Sequence, residues 1–297
     1  MDAPVDEDDY WAMRREAGVV EVERDFLRVS GPDAVPFLQG QLSQDVAGLA
    51  VGASVESLLL QPQGKVDALL RVTRTGHDTV VLDVDGGFGE AVAARLGRFK
   101  IRVKAEIEPL AWRCLAVRGP AAAEVAVAAG TALPAPWPGV AGVDVVGEAP
   151  AVDPAVRRCS AGALAAVRIE AGVPAMGSEL TERTIPAEAG VVERTVSFTK
   201  GCYTGQELVA RIDSRGGNVP RRLRGVVAVD GAEPAVGDAL VSGGGEVGRL
   251  TSVAWSPSLG ATVGLAFVHR DVEPPADVAV GADGGAAAQV RALPLVG

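Results

Sequence analysis

Lys200-Gly201-Cys202-Tyr203-Thr204-Gly205-Gln206-Glu207 sets one thiol among two glycines, a lysine and a helix-start signature. Thr204 and Glu207 have capping-box spacing, which predicts a helix from Gly205 to about Ser214, ended by Gly216 or Gly217. Cys202 then stands just ahead of a helix N-terminus and beside Lys200, and both features favour the thiolate. Around this stretch the chain is basic: residues 194–224 hold seven Lys and Arg against Glu207 and Asp213. A solvated helix face and an anion site both answer to that pattern. Five arginines between 211 and 224 would repel one another without a counter-charge, which favours the anion site.

Beyond Gly225 short Val-rich strands recur between glycine clusters (Asp230-Gly231, Gly243-Gly244-Gly245, Gly284-Gly285) with no helical period. This predicts a small antiparallel barrel. Ahead of the basic stretch, 19–29 reads as a strand, and Asp33 caps a helix with Pro36 in its first turn. Residues 65–73 and 78–84 pair as strands around Gly76-His77. Phe88, Val92, Leu96 and Phe99 give a helix over 88–99, and 100–108 alternates as a half-buried strand. Residues 112–117 form a strand, Gly119-Pro120 opens an alanine-rich helix ending at Gly130, and 134–138 is a loop. The resulting organisation is α+β: units at 1–110 and 111–220, between which segments can exchange, then a barrel at 221–297.

The 297 residues are 48% apolar and 22% charged, enough for a sizeable core, and 4% aromatic, so that core is built of Val, Leu and Ala. A net charge of −10 argues against nucleic-acid binding over the whole surface and leaves RNA contact only to the local arginines. Cys114, Cys159 and Cys202 form no C-x-x-C, so neither a disulfide framework nor a resident metal is expected. His77, His269 and the four scattered tryptophans read as structural. The N-terminus is acidic where a secretory leader would be basic then apolar, and the uncharged stretch 125–143 carries Pro134, Pro136 and Pro138. A cytoplasmic monomer without membrane contact is expected.

Lys200–Glu207 resembles the K-G-C-Y-x-G-Q-E motif of the YgfZ family of folate-binding proteins, relatives of the glycine cleavage T-protein (aminomethyltransferase). Phe37–Val46 (FLQGQLSQDV) is similar to that family's F-L-x-G-Q-x-[ST]-x-D-[VI], and Arg168–Gly172 (RIEAG) resembles the superfamily's R-[LI]-E-A-G. Gly248–Val268 is similar to its C-terminal barrel.

The resemblance implies a three-lobed T-protein-like fold, with two α+β domains, a C-terminal antiparallel β-barrel and a central tetrahydrofolate site. It implies Glu170, at a strand end, as the acceptor for the pterin's adjacent N–H groups. Lys200, Tyr203, Gln206, Arg215 and Arg222 are further ligand candidates, the arginines for the folate's glutamate tail or for RNA phosphates. Cys202 is the reactive thiol. The T-protein's paired aspartates align with Ala68 and Leu69 in Gln63–Leu70, and Asp67, one residue early in a strand, should face the other way. The implied role is therefore a folate-dependent accessory one, in assembling or repairing iron–sulfur clusters. Its partners would be assembly or client proteins such as tRNA methylthiotransferases. Aminomethyl or other one-carbon transfer to or from a small amine is the alternative, so turnover stays open.

Overall fold

A computed structural model describes residues 5–281 and 285–297; the first four residues of the acidic N-terminus and Gly284 of the last glycine pair lie outside the described residues. In chain order the elements are α1 (Glu7–Arg15), β1 (Gly18–Val22), β2 (Arg24–Ser30), α2 (Ala34–Gln41), β3 (Ser54–Leu60), β4 (Val66–Gly76), β5 (Thr79–Asp85) and α3 (Gly89–Phe99). There follow β6 (Glu106–Leu110), β7 (Arg113–Arg118), β8 (Val127–Pro134), β9 (Gly142–Val152), β10 (Arg157–Arg158), α4 (Ala161–Ala171), α5 (Val192–Thr195) and α6 (Gln206–Ser214). The last are β11 (Arg221–Ala228), β12 (Ala239–Ser242), β13 (Gly245–Ser256), β14 (Ala261–His269), β15 (Ala276–Val280) and β16 (Ala286–Arg291).

The chain divides into two compact units, each assembled from separate segments. One comprises residues up to Val22, Cys114–Pro174 and Pro220–Gly297; the other comprises Glu23–Arg113 and Ala175–Val219. The first unit holds a sheet of order β10-β1-β7-β9-β8 and a closed barrel, β11-β14-β13-β12-β15-β16. Val226, Leu250, Ala266, Val268, Val280 and Val290 help to fill the barrel. These small and β-branched side chains suit a narrow antiparallel closure and explain how so few aromatics suffice. Helix α4 starts at Ser160, whose hydroxyl accepts from Ala163 N at 3.4 Å. It stops at Gly172 with φ 74°, where the N–H groups of Gly172 and Val173 close onto Ile169 and Arg168 carbonyls.

The second unit holds a sheet of order β3-β4-β5-β2-β6. Leu70, Val72, Val80 and Leu82 of that sheet pack in one core with Leu38 of α2 and with Val92 and Leu96 of α3. Val92 and Leu96 are one helical turn apart, as the period predicts.

Several segments depart from the sequence reading. The strand read over 19–29 is two strands, because residues before Glu23 pair with β7 and β10 and those after it with β5 and β2's other neighbour, β6. The alanine-rich helix expected after Gly119 is a single 3-10 turn at Ala122–Glu124, and Val127–Pro134 pairs with β9 instead. Long-range pairing overrides alanine's helix propensity there. The alternation over 100–108 becomes a strand only from Glu106: Arg102 has φ 59°, Ile101 is 78% exposed, and Lys104 N–H is held by the Asp33 carboxylate. Arg168–Ala171 is the last turn of α4 rather than a strand end.

Candidate functional site

The residues singled out in the sequence are distributed over both units. Glu170 and Arg222 belong to the first; Cys202, Lys200, Tyr203, Gln206 and Arg215 belong to the second.

Glu170 is fully buried. The Tyr10 hydroxyl reaches both of its carboxylate oxygens, at 3.0 and 2.9 Å, and one proton serves both contacts. Arg14 Nη2 pairs with Oε2, and the Ser256 hydroxyl donates to Oε1. The Ser258 hydroxyl lies 2.6 Å from Tyr10 Oη. Burial, opposed by the bond from Ser258, raises the Tyr10 hydroxyl's pKa, so it stays a proton donor to the carboxylate. A carboxylate has about four lone-pair sites, and three donors already occupy this one. A bidentate donor such as a pterin would gain Glu170 only in exchange for Tyr10 or Ser256. Tyr10, Arg14 and Ser256 were missed in the sequence; the i, i+4 spacing of Tyr10 and Arg14 on one face of α1 was the available signal.

In the second unit the Lys200–Glu207 stretch is organised by its lysine. Lys200 Nζ donates to the carbonyls of Gln39 and Leu42, both at 2.6 Å, and of Gln44 at 3.0 Å. These carbonyls lie at or just past the end of α2, where a helix leaves acceptors without intrahelical partners. Burial pushes the ammonium's pKa down to about 8 against the pull of Asp45, so it is still charged at neutral pH. Its Nζ also sits 5.1 Å from the Tyr203 ring centroid, and burial pushes the Tyr203 hydroxyl up to about 12. Lys200 therefore holds the fold around α2, not the Cys202 thiol. Arg194, at the start of the basic stretch, is paired with Glu56 at 2.5 Å.

The capping box does not form. Thr204 N–H donates to Gly40 O at 3.2 Å, and Gly205 becomes the N-cap with φ 83° and no side-chain cap bond. A Cβ at Gly205 would lie 2.5 Å from Gln61 O, so this close backbone approach requires glycine. The end of α6 is as predicted, with Gly216 and Gly217 N–H groups closing onto Asp213 and Ile212 carbonyls.

The three thiols differ in environment. Cys202 is exposed and Cys114 buried. Burial, with Asp9 adding to it, pushes Cys159 up to about 11. Arg215 is exposed at the C-terminus of α6. Arg222 is half-buried on β11 opposite Val268. Its charge adds to the burial that lowers the pKa of Arg224.

Asp67 does not face as a flat strand would place it. Leu59 pairs with Ala68 and Leu60 with Val66, so Asp67 is the extra residue of a β-bulge. Its carboxylate accepts from Arg95 Nε on α3 at 3.0 Å, while Ala68 packs in the core that includes Val92 and Leu96 of the same helix. Both residues thus face α3.

Among the described residues, no three His, Cys, Asp or Glu side chains converge as a metal site, and no helix is long and apolar enough to cross a membrane. Residues 3–133 match the GCVT N-terminal domain, and residues 221–296 match the glycine cleavage T-protein C-terminal barrel domain. An aminomethyltransferase of Thermus thermophilus is 30% identical over 92% of this chain and 85% of its own length. One from Streptomyces avermitilis is 27% identical over 93% and 84%. The crystal structure of glycine cleavage system aminomethyltransferase T from Bartonella henselae superposes with a TM-score of 0.83 at 22% identity, covering 97% of this chain and 89% of that one. The fold is the same.

Proposed function

This chain belongs to the glycine cleavage T-protein (aminomethyltransferase) family, and on that premise we propose that it is a reduced-folate-binding accessory protein whose reactive group is the Cys202 thiol. The role is the YgfZ-like one, support of iron–sulfur cluster assembly or repair for enzymes such as tRNA methylthiotransferases. The observation that carries it is the exposure of Cys202 within a stretch whose backbone is tied down beneath it by Lys200. A thiol meant only to pack would be buried, as Cys114 is.

Aminomethyl transfer is the second reading, and the bulge that turns Asp67 towards α3 favours it. Against it, the Asp67 carboxylate is engaged by Arg95, and Ala68 and Leu69 stand where the paired aspartates align. Tetrahydrofolate-dependent ammonia release from an aminomethyl-lipoyl carrier is expected to be absent; release at an enzymatic rate would replace the first reading by the second.

Folate binding is tested by calorimetric titration of tetrahydrofolate. Wild type is expected to bind saturably. Tyr10→Phe removes the donor that a pterin would have to displace from Glu170, so affinity should rise several-fold. An unchanged affinity in Tyr10→Phe would take Glu170 out of the site, and no binding by wild type would remove folate altogether.

A further inference from the structure

Arg95, in the second unit, is charged and only 5% exposed. Its Nε serves Asp67, its Nη2 donates to Leu60 O at 3.0 Å, and its Cζ lies 4.0 Å from the Phe99 ring centroid. Its Nη1 is buried with no hydrogen-bond partner. An orphaned guanidinium N–H of this kind costs free energy unless something accepts from it. Arg95 also lines a cavity of ≈ 140 Å³ together with Asp67, Arg98 and the apolar side chains of Leu59, Phe88 and Val92. Arg98 is exposed, three residues along α3 from Arg95, and no side-chain partner neutralises it among the described residues.

We infer that this cavity is a binding site for a small monocarboxylate with a short apolar body. Charge decides the class. Arg95 and Arg98 against Asp67 leave one net positive charge, which matches a single carboxylate and undercharges a dianionic phosphate. The carboxylate would accept from the Arg98 guanidinium and from Arg95 Nη1 after a small shift of that side chain, supplying the acceptor Nη1 lacks. The hydrocarbon part would lie on Leu59, Phe88 and Val92, and the volume excludes anything of folate's size. Asp67 holds Arg95 in place by its ion pair and is a positioning residue here.

The test is saturation-transfer NMR on the full chain with butyrate as the probe. Saturable transfer is expected to butyrate and not to the neutral isostere butyramide. Arg98→Ala, a change at an exposed position that leaves the melting temperature unaltered, should weaken butyrate by about tenfold or more. Arg183→Ala, at an exposed arginine outside the cavity, should bind like wild type. Equal transfer to butyramide, or undiminished butyrate binding in Arg98→Ala, would overturn the assignment. Inorganic phosphate displacing butyrate at a lower concentration than butyrate itself requires would do the same.

Discussion

The Glu170 cluster and the Lys200–Glu207 stretch both look like ligand-reading motifs, and in both the charged residue serves the fold, but only the second leaves a neighbouring polar group exposed. At Glu170 the charge is turned inward, fully buried, with a tyrosine, an arginine and a serine satisfying it. At Lys200 the charge is also turned inward, onto backbone carbonyls, but it leaves a neighbouring thiol outside. A motif's charged residue can thus be spent on the fold while its neighbour stays exposed to solvent. Which is which depends on partners far away in sequence.

Removing the Glu170 carboxylate should cost the fold most. Glu170→Ala leaves the Arg14 guanidinium buried and unpaired, and breaking a buried pair from one side costs about 3–5 kcal/mol. Urea denaturation should register a loss of that size, with Glu170→Gln losing less because an amide oxygen still accepts from Arg14. A loss below about 1 kcal/mol for the alanine variant would show that Arg14 finds water, and that the cluster is not a fold tie.

The thiols give the next largest effect. With Cys159 raised to about 11, only roughly 1% of it is thiolate at pH 9, where an ordinary cysteine near 8.5 is mostly ionised. The exposed Cys202 should alkylate faster than Cys159 at that pH, and the buried Cys114 only on unfolding. Mass-spectrometric mapping from pH 6 to 11 checks this, with the Cys159 rate still climbing at the top of the range. A raised thiol also holds its proton longer in the folded chain than in the unfolded one. Its contribution to stability is therefore complete below about pH 8.5 and lost as pH rises through about 11. Equal rates for Cys202 and Cys159 at pH 9 would put both thiols in one class and end the chemical reading of the motif.

The smallest effect belongs to Lys200. Lys200→Met keeps the stem's packing and strips a donor from three carbonyls near the end of α2. Leaving such acceptors unsatisfied costs about 1–3 kcal/mol. Hydrogen exchange should show the loss concentrated over α2 and residues 200–206, while the Cys202 alkylation rate changes little.

The barrel followed from Val-rich strands between glycines, and α3 from Val92 and Leu96. The end of α6 followed from Gly216-Gly217. What failed shares one physical cause, namely pairing decided elsewhere in the chain. Alanines after Gly119 favour helix locally, but β9 offers Val127–Pro134 a partner strand. Thr204 and Glu207 have the spacing of a cap, but Gly205 must pass within van der Waals reach of Gln61 O and takes the N-cap itself. Asp67 seemed misplaced because alternation assumes a flat strand, and the bulge against Leu59 and Leu60 breaks that rule. In the candidate site, the two local features that singled out Cys202, the cap spacing and Lys200, both turn to other contacts in the structure. Tyr10, Arg14 and Ser256 could not be singled out, since they meet Glu170 from more than 80 residues away in either direction.

The claim that Cys202, rather than the Asp67 carboxylate, carries the chemistry is tested most directly by genetic complementation. In cells lacking this protein, the activity of a cluster-dependent tRNA methylthiotransferase is measured after supplying wild type, Cys202→Ser or Asp67→Asn at equal folded levels. Wild type and Asp67→Asn should restore it, and Cys202→Ser, an exposed change that leaves the melting temperature intact, should not. Full restoration by Cys202→Ser together with loss in Asp67→Asn would contradict the account and return the chemistry to the carboxylate.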